Sequence, residues 1–129
     1  MANNLILIDT SILIDFFRKT DKSNSVLISL VRRGYTYCIS AVTEYEIYTG
    51  ATPDQIDFWN SFLDRTTVLP FDKATAKVAV DLTRSLKKSR NLIDIADLFI
   101  AATAIANNLS CATLNKKHFE RIKELALID

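Results

Sequence analysis

Four short apolar runs punctuate the chain: NLILI (4–8), YTYCIS (35–40), TTVLP (66–70) and SCATL (110–114). Helical periodicity fills the intervals between them. The first run is apolar without alternation, as in a strand buried on both faces of its sheet. Strands separated by helices pair in parallel, because a parallel pair needs a crossover rather than a hairpin. The expected fold class is therefore α/β. It is a three-layer α/β/α sandwich on a central, mainly parallel sheet of four to five strands. A chain of 129 residues fits one domain over 1–129, with interior enough for such a core.

The helical segments read in order. Residues 11–18 place Ile12, Phe16 and Leu13, Phe17 at i, i+4 spacing. Residues 24–33 follow, with Ser23 as N-cap, and residues 41–49 run from a Ser40 N-cap to a Gly50 C-cap. Thr52-Pro53-Asp54-Gln55 is a capping box with proline at the first helical position, opening a helix to about residue 64. Asp72 caps a helix over 73–88, with Ala76, Val80 and Thr83 along one face. The alanine-rich stretch 95–107 is apolar nearly all round and so reads as buried. A short basic helix follows the fourth strand, and LALI (125–128) reads as a last edge strand.

Other readings narrow the class. The opening apolar run is too short for a bilayer and is broken by Asp9 and Asp15. It lacks a basic leader and a cleavage site, so the expectation is a cytoplasmic protein with no membrane partner. Cys38 and Cys111 lie in strand runs and read as core thiols. A lone His118 argues against a multi-histidine metal site, so a bound metal would be held by oxygen, which favours magnesium or manganese. Net charge is only +1, yet Arg84, Lys87, Lys88 and Arg90 cluster, as do Lys116, Lys117, Arg121 and Lys123. Such patches are solvated helix faces or phosphate contacts.

In parallel sheets ligands bind beyond the carboxyl ends of the strands, where strand order reverses. Four polar segments fall near such ends. Asp9-Thr10-Ser11 follows strand one, with more polar groups than one helix cap needs. Asp15, more than a turn into the helix, reads as structural. Ser40 to Ile47 carries Glu44 and Glu46, about 200° apart on a helix, so only one of them can face a given pocket; periodicity does not choose. Asp94 and Asp97 open the buried helix, as cap and first-turn acid or as site acids. Asn115 and His118 follow strand four. Acids converging from three such segments repel one another, and a divalent cation relieves that repulsion.

The segments LIDTSILID (7–15), ISAVTEYEIYTGA (39–51) and DLFIAATAIANNLSCATLNKKHFERI (97–122) resemble, in order and spacing, those of a PIN domain. The likeness is closest to the VapC-like ribonuclease toxins of toxin–antitoxin systems, and it covers the whole chain. The resemblance implies a metal-dependent endoribonuclease in which Asp9, Glu46 and Asp97 hold Mg²⁺ or Mn²⁺, and it leaves Glu44 as a surface residue. Thr10, Ser11 and Asn115 would assist, with Asp94 on the acidic rim. His118 stands where many relatives carry a fourth acid, which leaves one or two ions open. Arg84, Lys87, Lys88, Lys116 and Lys117 are the candidates for RNA backbone contact. The resemblance also implies a homodimer and a small antitoxin partner. The alternative is a non-catalytic RNA-binding or scaffold module with a weakened metal site.

Overall fold

The computed structural model describes residues 4–129. Strands β1 (Leu5–Ile8), β2 (Thr36–Ser40), β3 (Val68–Leu69) and β4 (Cys111–Ala112) form one sheet in the order β3-β2-β1-β4. All pairings are parallel, with Leu7 opposite Cys38 on one side and Cys111 on the other. The helices are α1 (Thr10–Arg18), α2 (Val26–Arg32), α3 (Ala41–Gly50), α4 (Ile56–Asp64), α5 (Lys73–Ser89), α6 (Ile95–Ala106) and α7 (Lys116–Phe119). The sheet has four strands. LALI contributes one parallel bridge, Cys111 to Leu127, rather than a full strand.

Why β1 must be apolar on both faces is visible in its neighbours. Successive strand side chains alternate between faces. Leu7 joins Cys38, Cys111, Leu82, Leu86 and Ala101 in the core layer toward α5 and α6. Ile6 and Ile8 join Ile12, Leu13, Leu27, Ile47 and Trp59 in the layer toward α1 to α4. Burial of this kind stabilises by about 1.5–3 kcal/mol per large aliphatic side chain. The aromatics of α4 mostly serve this second layer. Trp59 is 2% exposed and packs against Phe17 with the rings tilted by 30°, while Tyr45 on α3 stays 68% exposed.

Several boundaries depart from the sequence reading. The cap of α2 is Ser25, whose Oγ accepts from the Ile28 N–H at 3.3 Å, and not Ser23. Ser23 belongs to a 3₁₀ turn over Lys22–Asn24 that Asp21 caps. Gly50 is the last residue of α3 and Ala51, in extended conformation, ends it; the glycine with positive φ is Gly34 (96°), at the turn into β2. The Thr52–Gln55 capping box forms but opens a 3₁₀ turn ahead of α4. Asp94 sits at the N-cap of α6 without a side-chain capping bond. The face of α5 is also shifted: Thr75, Ala79, Leu82 and Leu86 are buried, whereas Val80 is 47% exposed. Successive helix residues step by about 100°, so a stripe read one residue out of phase exposes Val80 and buries Ala79. Both cysteines are free and fully buried, and burial pushes the Cys38 thiol up to about 11. Among the described residues no helix is long and apolar enough to cross a membrane.

Candidate active site

The chain runs outward from β1 through β2 to β3, then returns to the other side of β1 for β4. The strand order therefore reverses between β1 and β4, and their carboxyl ends open a crevice there. Asp9 follows β1 and Thr113 follows β4. A cavity of about 630 Å³ lies over this edge, lined by Asp9, Thr10 and Ser11, by Glu46 of α3, by Asp97 of α6 and by Asn115.

Asp9 is only 2% exposed and fully engaged. Its Oδ1 accepts from Ser11 Oγ at 2.5 Å and from the Ile12 N–H at 3.3 Å, so it caps α1. Its Oδ2 accepts from Thr113 Oγ1 at 2.5 Å. The donors are themselves held. Ser11 Oγ accepts from the Leu114 N–H at 3.0 Å, and Thr113 Oγ1 from the Asn115 N–H at 2.9 Å. Desolvation raises the Asp9 pKa above the ordinary carboxylate value, the hydrogen bonds oppose the rise, and the charge of Asp97 adds to it.

Glu46 is oriented from α1. Thr10 Oγ1 donates to Glu46 Oε1 at 2.7 Å, and the buried Thr43 hydroxyl lies 3.1 Å from Thr10 Oγ1. Thr10 has one hydroxyl proton, which goes to the carboxylate, so Thr43 completes the chain by donating to Thr10. Glu44 lies outside the cavity lining. Asp97 faces His118, whose Nδ1 is 3.5 Å from Oδ2. Partial burial raises the Asp97 pKa, His118 opposes the rise and the nearby Asp94 adds to it.

Asp94 itself is exposed and outside the lining, as is His118. Arg84 and Lys87 border a separate, apolar depression with Phe71, Val80 and Phe99. Lys116 and Lys117 open α7 beside His118 and line a separate depression after β4. The basic residues that do line the acidic cavity are Arg18 and Lys19, together with Ile14, Asp15 and Leu114. Sequence reasoning missed Arg18 and Lys19 because they do not form a charge cluster. It also missed the role of Thr113; finding it needs the knowledge that β4 lies beside β1. Asp15 has a structural bond: its Oδ2 accepts from the Val26 N–H at 2.9 Å and so ties α1 to the start of α2.

The donor set round the cavity is oxygen only, which suits a hard divalent ion. Among the described residues no three His, Cys, Asp or Glu side chains are drawn together closely enough to ligate one ion. Asp9 and Glu46 rest instead on hydroxyl donors. The fit is therefore one of chemistry. Burial, the largest cause, raises the pKa of both Asp9 and Asp97, and a cation held between them would offset that cost of charge.

Comparison with known proteins bears on the same region. The model of the PIN domain matches residues 6–125. The chain is 37% identical over 124 residues to Ribonuclease VapC1 of Methanocaldococcus jannaschii, a match covering 95% of this chain and 84% of that protein. Among solved structures it resembles VapBC2 from Rickettsia felis bound to a DNA fragment from their promoter. That likeness has a TM-score of 0.80 at 26% identity, covering 96% of this chain and 97% of the other. A toxin–antitoxin complex from Klebsiella pneumoniae superposes with a TM-score of 0.72 at 26% identity, covering 94% and 95%.

Proposed function

The chain belongs to the PIN-domain family, and on that premise we propose that it is a metal-dependent endoribonuclease, the toxin of a toxin–antitoxin pair. The observation that carries the reading is the meeting of Asp9, Glu46 and Asp97, from three separate elements, round one cavity at the strand-order reversal. Its likeness to a ribonuclease over nearly its full length supports the substrate class. Its likeness to toxin–antitoxin complexes supports a small protein partner. A homodimer and a cytoplasmic setting belong to the same proposal.

Asp9, Glu46 and Asp97 would hold Mg²⁺ or Mn²⁺. When bound, the ion supplies Lewis acidity to the phosphate and to an attacking water. The chain's own residues do the positioning. Ser11 and Thr113 fix both oxygens of Asp9, so its remaining lone pairs point in set directions. Thr10, backed by Thr43, fixes Glu46 in the same way. His118 pairs with Asp97 from the loop side. Asn115 presents an amide to the cavity, suited to hold a phosphate oxygen or the attacking water.

The test is cleavage of total cellular RNA by the wild type and by Asp9→Asn, with cut sites mapped, in Mg²⁺, in Mn²⁺ and in EDTA. Cutting by the wild type that is lost in the variant and in chelator supports the reading. Undiminished cutting by Asp9→Asn, or in EDTA, overturns it.

A further inference from the structure

Thr10, Ile14 and Arg18 recur every four residues along α1, so they share one face of the helix. All three line the acidic cavity. The wall they form is ordered along its length. At its start, Thr10 holds the Glu46 carboxylate at 2.7 Å. Ile14 comes next, and Arg18 stands at the far end. The helix rises about 12 Å from Thr10 to Arg18, and helical side chains lean toward the N-terminus, which shortens the reach from guanidinium to acids.

Arg18 differs from the other cation on this wall. Lys19 is tied to Asp15 at 3.5 Å. Among the described residues the Arg18 side chain has no hydrogen bond or ion pair, although the carboxylates of Asp9, Asp15, Glu46 and Asp97 line the same cavity. An exposed guanidinium that pairs with none of these acids, each of which has another partner, is free to take an external anion, and its planar fork suits a phosphate. On the β4 side of the cavity, Leu114 is 49% exposed even though its backbone N–H is held by Ser11 Oγ. Ile14, between Thr10 and Arg18 on the helix, and Leu114 thus add apolar surface to the cavity lining.

From this arrangement we infer that Arg18 binds the substrate phosphate next to the one that is cut, with Ile14 and Leu114 contacting the nucleoside between them. The inference rests on the hydrolase reading above and adds a subsite to it. The ligand class is single-stranded nucleic acid, whose phosphates repeat along a chain that can bend into the crevice.

The experiment uses a fluorescein-labelled single-stranded RNA of mixed sequence. Its binding is followed by anisotropy to Asp9→Asn and to Asp9→Asn/Arg18→Ala, over a range of salt. Loss of one phosphate contact should weaken binding roughly tenfold and lower the slope of log Kd against log salt by about 0.7. Arg18→Lys should keep most of the slope while losing part of the affinity. In the otherwise native protein, Arg18→Ala should raise KM by a similar factor with little change in kcat. Unchanged binding and slope overturn the inference, as does weaker binding with an unchanged slope. So does an Arg18→Ala protein that loses grip only on a protein partner. The two readings fail separately: RNA binding that depends on Arg18 without any cleavage sinks the hydrolase, and cleavage indifferent to Arg18 sinks the subsite.

Discussion

Thr113 Oγ1 donates to Asp9 Oδ2 at 2.5 Å across 104 residues of sequence. The bond joins the carboxyl ends of two adjacent parallel strands. It places a buried carboxylate at the strand-order reversal and fixes one of its oxygens. The remaining polar atoms of the site are arranged round this contact.

Removing the hydroxyl should therefore cost both stability and activity. Thr113→Val keeps the shape but leaves Asp9 Oδ2 buried with no donor, a loss of about 1–3 kcal/mol. Urea denaturation measures it. Thr113→Ser should recover most of the loss, and cleavage should follow the same order.

Charge at Asp9 should be a liability in the metal-free protein. Its folded pKa lies above the ordinary carboxylate value, with burial the largest cause. The folded state then holds more protons than the unfolded one as pH rises through that window, so stability falls with rising pH. Asp9→Asn has no such charge, though its amide nitrogen cannot accept from Thr113. The variant should therefore gain stability relative to the wild type between pH 4 and pH 7.5, on top of a pH-independent loss. Denaturation curves at both values check this; a stability difference that does not change with pH contradicts it.

Divalent ions should reverse that gain. Mn²⁺ or Mg²⁺ binding to the folded wild type raises its Tm in proportion to the logarithm of ion concentration above Kd. Asp9→Asn, Glu46→Gln and Asp97→Asn should each reduce the rise, and EDTA should abolish it. Calcium-free thermal scans with added MnCl₂ give the readout without any assay of cleavage.

Asp15 should matter through α2. Its carboxylate accepts from the Val26 N–H at 2.9 Å and pairs with Lys19 at 3.5 Å. Asp15→Ala leaves the first N–H of α2 without its acceptor, at a cost of about 1 kcal/mol. Hydrogen exchange should quicken in α2 before it does so in the sheet.

The face of α5 can be tested with two truncations. Leu82 is 4% exposed and Val80 47%. Leu82→Ala should cost about 2–5 kcal/mol, and Val80→Ala should stay within about 0.5 kcal/mol of the wild type. Equal losses would restore the phase read from the sequence.

Local chemistry made much of this molecule legible. The unbroken apolar run LILI (5–8) had to be a strand covered on both faces, because neither face carries a polar side chain to meet water. The caps at Ser40 and Asp72 follow from short oxygen-bearing side chains ahead of helical periodicity, and both form. The strand-helix alternation required parallel pairing. Asp9 could be placed beyond the end of β1 from its position alone.

Other features depended on which strands are neighbours and on how helices turn in packing. Glu44 and Glu46 are equivalent to a periodicity argument; the contact of α1 with α3 distinguishes them, since only Glu46 meets Thr10. The pattern that puts Ala76, Val80 and Thr83 on one face misses the buried stripe of Ala79, Leu82 and Leu86, because hydrophobicity fixes a helix's stripe only to within a residue or so. Thr113 gains its role from strand order, which no local pattern encodes. Arg18 is one exposed arginine among several until α1 is laid along the cavity. Sequence determined the elements and the supply of oxygen ligands, because those depend on residues near in the chain. Tertiary structure decided which acids share a cavity, since burial and charge coupling act between residues brought close by packing.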